Sequence, residues 1–234
     1  MQIKTCICSS FIDITIDTWW LWCSGNTEAC GAFNSGSTPG GHPIIMQLSE
    51  KIWSDGNLIK VLKNGGVAVM PTDTLYGIVG RAENISTVER IYNIRKRKPS
   101  KPCIVLIGDA SELEKLKIKI SEKQKEIIKE YSSSPTSIIL DCSDESFSYL
   151  HRGTKTLALR LPGEPELRNL LLQTGPLIAP SANIEGQPPA KSIQEAKNYF
   201  GNLVDLYVDG GDIAGKASKI IRLQNDGSIS IIRE

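Results

Sequence analysis

Val67-Ala68-Val69-Met70-Pro71-Thr72-Asp73-Thr74-Leu75-Tyr76-Gly77 runs from a purely apolar stretch into a polar turn. Four consecutive apolar residues read as a buried strand. Proline cannot donate to a central ladder, so the strand should end at Pro71. Two hydroxyls, a carboxylate and a phenol then fall just past a strand end. In open α/β sheets that crevice is where ligands sit. The stretch supports two readings. One is a small-molecule site; the other is a hydrogen-bonded turn with Asp73 capping its own backbone.

Outward from this stretch, strand and helix signals alternate. A helical pattern spans Ser49 to Lys63 and stops at Gly65-Gly66. Ser86-x-x-Glu89, Ser111-x-x-Glu114, Ser121-x-x-Gln124 and Ser192-x-x-Glu195 have the spacing of helix-opening capping boxes. Short apolar runs at 103–107, 137–140, 156–161, 177–179, 204–208, 218–223 and 229–232 read as strands, and 164–172 as a helix. Alternation of this kind predicts an α/β fold. The expected organisation is a poorly ordered or atypical extension over 1–45 and one domain over 46–234.

Composition narrows the class. The chain has 234 residues, 40% hydrophobic and 23% charged, with a formal net charge of +1. A balance so near zero gives no global field for nucleic acid or membrane, so a basic site must be local. No apolar run approaches the roughly 20 residues that span a bilayer. Cys103 and Cys142 lie in strand-like contexts and read as reduced thiols of a cytoplasmic protein. Cys6, Cys8, Cys23 and Cys30 lack a common zinc spacing. An edge strand near 12–22 is the minority reading of the extension. His42 and His151 are the only histidines, which argues against a His-based triad or metal site. Neither G-x-x-x-x-G-K-[ST] nor G-x-G-x-x-G occurs. No protein-held metal is expected.

Four further signals carry chemistry. Arg95-Lys96-Arg97-Lys98-Pro99-Ser100-Lys101 has five basic residues in seven. It is a solvated helix end, a localisation patch or a phosphate site, and its direct entry into a strand favours phosphate. Pro180-Ser181-Ala182-Asn183 follows an apolar strand and either shapes a turn or offers a hydroxyl and an amide to a ligand. Arg160 interrupts an apolar run and needs an anion, from a structural carboxylate or from a ligand. The last is Gly215-Lys216-Ala217-Ser218.

Taken together, PTDTLYG at 71–77, RIYNIRKRKPSKP at 90–102, TLALRLP at 156–162, PLIAPSANIEGQPP at 176–189, GKASKIIRL at 215–223 and SIIRE at 230–234 resemble the YrdC/Sua5 family, the threonylcarbamoyl-AMP synthases. The resemblance runs from about residue 50 onward and fits the short, single-domain type. It implies a twisted, open mixed sheet with flanking helices around a large positively charged cavity. It implies synthesis of threonylcarbamoyl-AMP and pyrophosphate from L-threonine, bicarbonate and ATP with Mg2+, for t6A modification of tRNA. The implied partners are a downstream t6A transferase machinery and tRNA or double-stranded RNA, with no membrane. Thr74, Arg160, Ser181 and Ser218 match threonine contacts. Arg95, Arg97, Lys101, Thr156, Asn183 and Arg233 match nucleotide contacts, with Arg97 and Lys101 closest to the chemistry. The sequence departs from the family pattern at Ser132-Ser133-Ser134-Pro135, at Lys191, at Lys219 and at Arg95, where lysine is usual. An RNA- or nucleotide-binding module of the same fold without synthesis is the alternative reading.

Overall fold

The structure is a computed structural model that describes the main chain of residues 44–46 and residues 52–132 and 134–234. The expectations for residues 1–43, including the four early cysteines and the strand near 12–22, lie outside the described residues.

Ten strands form one mixed sheet. They are β1 (Ile44–Met46), β2 (Ala68–Pro71), β3 (Tyr76–Arg81), β4 (Ile104–Leu106), β5 (Thr136–Asp141), β6 (Thr156–Arg160), β7 (Leu177–Ile178), β8 (Leu206–Val208), β9 (Lys219–Leu223) and β10 (Ile229–Arg233). Their order is β1-β8-β2-β3-β7-β4-β6-β5-β9-β10. β8 is parallel to both β1 and β2, β4 to β6, and β5 to β9. The other neighbouring pairs are antiparallel. β1 straddles the expected domain start at residue 46 and joins the sheet beside Leu206–Val208.

Among the described residues seven α-helices flank the sheet: α1 (Gly56–Lys63), α2 (Ile85–Ile94), α3 (Glu112–Lys115), α4 (Glu122–Tyr131), α5 (Ser148–His151), α6 (Pro165–Thr174) and α7 (Ile193–Phe200). Successive strand residues face opposite sides, and both sides of the central strands are covered. Ala68, Met70, Val79, Leu106 and Leu206 pack with Leu58 and Leu62 of α1 and Leu167, Leu170 and Leu171 of α6. Val67, Val69, Ile78 and Val105 face the other cluster, with Val88 and Ile91 of α2 and Ala196 and Phe200 of α7.

Local caps correct several expected boundaries. The start of the first expected helix, at Ser49, lies outside the described residues; within them Asp55 accepts from the amides of Asn57 and Leu58 at 2.7 and 2.9 Å, and α1 starts after it. Ser86 does not cap α2. Asn84 accepts from the Thr87 amide at 3.2 Å, and the Ser86 hydroxyl donates to the Asn84 side chain. Ser111 makes no side-chain cap. Its own amide donates to Asp109, and Glu112 accepts from the Gly108 amide. Ser192 accepts from the Glu195 amide, but the Glu195 carboxylate turns to the Lys191 amide, so that box is half formed. Only the box of Ser121 and Gln124 is reciprocal as expected, at 3.2 and 2.9 Å. At the starts of α1 and α2 an Asx residue occupies the position just before the first helical residue, and its side-chain oxygen accepts from the free amides of the first turn.

Gly80 sets the closeness of α2 to β3. A Cβ there would lie 2.4 Å from Thr87 Cγ2 and 3.1 Å from Ile91 Cδ1. Gly80→Ala should therefore lower the unfolding free energy by about 1–3 kcal/mol through overpacking, read as a lower urea midpoint with an unchanged slope.

Candidate active site

A cavity of about 550 Å3 opens where the β2–β3 turn, strand β6 and the loops after α2, β7 and β8 converge. Thr156, Ala158 and Arg160 alternate along β6 and face it, while Leu157 and Leu159 point into the core. All ten residues expected to contact substrates line it: Thr74, Arg95, Arg97, Lys101, Thr156, Arg160, Ser181, Asn183, Ser218 and Arg233.

The turn is held by Thr72, not by Asp73. Thr72 Oγ1 accepts from the amides of Thr74 and Leu75 and donates to the Leu75 carbonyl at 2.7 Å. Its single proton and both lone pairs are thereby used, and the Thr74 hydroxyl lies 3.1 Å away. Thr74 Oγ1 in turn accepts from Arg160 Nη1 at 3.0 Å. Asp73 is free to serve as the counter-ion of Arg160, with Oδ1 2.9 Å from Nη2. That contact is an off-axis ion pair rather than an aligned hydrogen bond. The anion that Arg160 requires is thus a structural carboxylate.

Arg160 is 5% exposed, and its Nε has no partner in the protein. Burial lowers its pKa; Asp73 opposes the shift and Arg233 adds to it. Arg160 lines the cavity, and an unsatisfied buried guanidinium N–H is a donor still in need of an acceptor.

A second cluster lies at the end of α2. Arg95 is 3% exposed. It donates from Nε to the Asn183 carbonyl and from Nη2 to Asn183 Oδ1, both at 3.0 Å, and Nη2 also reaches Ser181 Oγ at 3.4 Å. Its Nη1 is buried without a partner. Burial brings its pKa down to about 10, with Arg97 contributing. Ser181 Oγ donates to Asn183 Oδ1 at 2.6 Å, and Asn183 Nδ2 donates to the carbonyls of Ile184 and Gln187. The Ser181–Asn183 turn is therefore rigid and faces the basic run.

Within that run, Arg97 folds back on its own loop, donating to the carbonyls of Lys101 and Pro102 at 3.0 and 2.6 Å. It shapes the segment that carries Lys101. The Lys101 ammonium stands out in solvent, 3.2 Å from Glu185 Oε1. Thr156 Oγ1 donates to Thr154 Oγ1 at 3.1 Å.

The remaining wall comes from residues 209–218. The Tyr76 hydroxyl accepts from the Gly210 amide and donates to the Gly211 carbonyl, both at 2.8 Å. Burial pushes that phenol up to about 12. Gly215 lies against the turn so closely that a Cβ there would sit 1.7 Å from the Thr74 carbonyl oxygen. Ser218 follows, with its hydroxyl 2.9 Å from Ser137 Oγ. Arg233 donates from Nε and Nη2 to the Ser218 carbonyl at 3.1 and 2.6 Å, tying β10 to this wall.

Sequence reasoning missed the roles of Thr72, Asp73, Tyr76 and Glu185. Charge pairing was the usable signal for Asp73: an isolated arginine in an apolar strand needs a carboxylate, and Asp73 sits in the adjacent polar motif. Tyr76 gave no signal, because its short contacts are to main-chain atoms of Gly210 and Gly211, with Asp209 Oδ1 farther off at 3.5 Å. Asp73→Asn should cost about 3 kcal/mol in unfolding free energy, since it leaves Arg160 buried without a counter-charge. Tyr76→Phe should cost about 1 kcal/mol and speed hydrogen exchange at the Gly210 amide.

Comparisons with known proteins show what the chain as a whole is similar to. The Sua5/YciO/YrdC family profile, described as "Telomere recombination", matches residues 60–234. The threonylcarbamoyl-AMP synthase of Bacillus subtilis is 34% identical over 170 residues, which is 71% of this chain and 49% of that protein. The synthase of the same name from Coxiella burnetii is 30% identical over 159 residues, 67% of this chain and 85% of its own. A crystal structure of Pyrococcus abyssi Sua5 complexed with L-threonine superposes with a TM-score of 0.72 at 26% identity, covering 81% of this chain and 56% of that one. This chain thus spans about half the length of the Bacillus and Pyrococcus proteins and most of the Coxiella one. It is a member of the Sua5/YciO/YrdC family.

Proposed function

We propose that this chain is an L-threonylcarbamoyladenylate synthase, a nucleotidyltransferase that joins L-threonine, bicarbonate and ATP. The observation that carries the reading is a single one. Two buried arginines, Arg95 and Arg160, line the same cavity, and each keeps one buried guanidinium N–H without a protein partner. One is braced by an amide turn beside a basic run, the other by a hydroxyl-rich turn. That is the pair of subsites a nucleotide and an amino acid would need side by side. The relatives' names and the threonine complex of the Pyrococcus protein support the same reading.

In this reading Thr74, Arg160, Ser181 and Ser218 hold threonine, with Arg160 Nε toward its carboxylate. Arg95, Arg97, Lys101, Thr156, Asn183 and Arg233 hold the nucleotide. Threonine and bicarbonate form a carbamate with loss of water. A carbamate oxygen then attacks the α-phosphorus of ATP, the P–O bond to the β-phosphate breaks, and pyrophosphate leaves. Three anionic groups are brought together, so the work of the protein is positioning and charge neutralisation. Lys101 and Arg97 are the groups for charge developing on the leaving pyrophosphate. No histidine is required. Among the described residues no cluster of three carboxylate, thiol or imidazole groups could hold a metal ion, and Glu185 is the one carboxylate in the cavity lining. Such a lining fits a Mg2+ that arrives with the nucleotide on phosphate oxygens and shields its charge. The product would pass to the t6A transferase machinery, in the compartment where buried free thiols such as Cys103 and Cys142 stay reduced, the cytoplasm.

The test is pyrophosphate release from ATP by the purified chain. Release should require both threonine and bicarbonate, and its absence overturns the reading. Lys101→Ala should weaken ATP binding about tenfold and leave threonine within about twofold, and Arg160→Ala should do the reverse. Isothermal titration of each ligand separates the two; equal losses of both ligands in both variants would overturn the subsite assignment.

A further inference from the structure

Glu185 is the only carboxylate lining a cavity that also holds Arg95, Arg97 and Lys101, counted over the described residues. Its Oε2 accepts from the Lys98 amide at 2.6 Å, and its Oε1 lies 3.2 Å from Lys101 Nζ. The first contact is short even for a charge-assisted bond. The Lys98 amide, then Lys101 and Arg97, hold the carboxyl below the usual carboxylate range, so it is ionised at neutral pH. A backbone N–H next to a lysine ammonium is the donor set that a phosphate oxygen takes.

The two holds on the carboxylate differ in strength. Its main chain is fixed, since the Glu185 amide donates to the Arg95 carbonyl at 2.9 Å. The Lys98 amide holds Oε2, whereas the Lys101 contact is weak: Lys101 is 61% exposed, and an ion pair so placed is worth little. An incoming polyanion that offers an oxygen to the same amide replaces the one strong bond it breaks.

We propose that the Glu185 carboxylate is an internal stand-in for a phosphate group, one that occupies the Lys98 N–H and Lys101 Nζ donors until a polyphosphate displaces it. The proposal rests on the nucleotide-dependent reading above and extends it. While a triphosphate is bound, the displaced carboxylate stays beside the cavity and repels it in proportion to its charge. Once pyrophosphate has formed, the carboxylate competes for the same donors and drives its departure. Glu185 therefore sets a ceiling on polyphosphate affinity and favours product release.

The experiment is isothermal titration of pyrophosphate, ATP and AMP, each with and without Mg2+, into the full chain, Glu185→Gln and Glu185→Ala. Both variants should bind pyrophosphate and ATP about five- to tenfold more tightly than the parent, and AMP within about twofold, with or without Mg2+. Polyphosphate binding unchanged or weakened in both variants overturns the stand-in. Weakening seen only with Mg2+ makes Glu185 a metal ligand instead and overturns it too. Equal weakening of AMP and ATP makes it a loop staple, which is equally fatal to the stand-in. Absence of pyrophosphate binding in all three proteins also overturns it. The synthase reading stands or falls separately: tighter pyrophosphate binding in the variants, with no threonine-dependent turnover by the parent, would sustain the stand-in and remove the synthase.

Discussion

A guanidinium buried at the end of a strand is the constraint around which this molecule is arranged. Arg160 lies at the last position of β6, 5% exposed, and a charge so placed must be neutralised or it unfolds its surroundings. Its counter-charge comes from Asp73, across the sheet on the β2–β3 turn. That turn can present Asp73 and Thr74 only because Thr72 satisfies its backbone. Tyr76 and Gly215 then fix the segment that closes over it. Remove the buried charge and each of these features loses its reason.

The same charge keeps the cavity open. Apolar side chains collapse onto one another, whereas a half-satisfied arginine cannot be packed shut without loss of its remaining donor. Several residues of the lining are small, with Ala158 on the same strand and Ala179 and Ala217 on adjoining segments. Arg95 repeats the arrangement on the other motif, satisfied on two nitrogens and open on the third. Rigid scaffolding with one open donor per guanidinium is what preorganised anion binding requires.

Much of this was legible in the sequence because the signals were local. Pro71 ends β2, the alternation of Thr156, Ala158 and Arg160 is readable as one strand face, and the basic run leads directly from helix to strand. The site residues, taken from motif resemblance, converge because the motifs sit at element ends and loops that the sheet brings together. What was not legible depended on partners far along the chain. Thr74 and Arg160 are 86 residues apart, and Tyr76 and Gly210 are 134. Local spacing cannot distinguish Asp73 as a turn cap from Asp73 as a counter-ion until Arg160 has a position. The start of α2 failed for a different reason: Asn84 takes the cap that Ser86 was expected to make, and a pattern of residue types does not rank the two.

The wall made by residues 209–218 has a consequence for how the protein is made. β8 is the strand that joins β1 to β2, and it follows them by well over a hundred residues. Emerging from a ribosome, β1 has no neighbour in the sheet until β8 is out, and the cavity lacks the part of its wall at Ala217 and Ser218 until those residues follow. Contacts this distant in sequence make for slow assembly and a long period with unpaired edges. The cavity takes its full shape only as β9 and β10, which supply Ile220, Ile232 and Arg233 to its lining, complete the sheet.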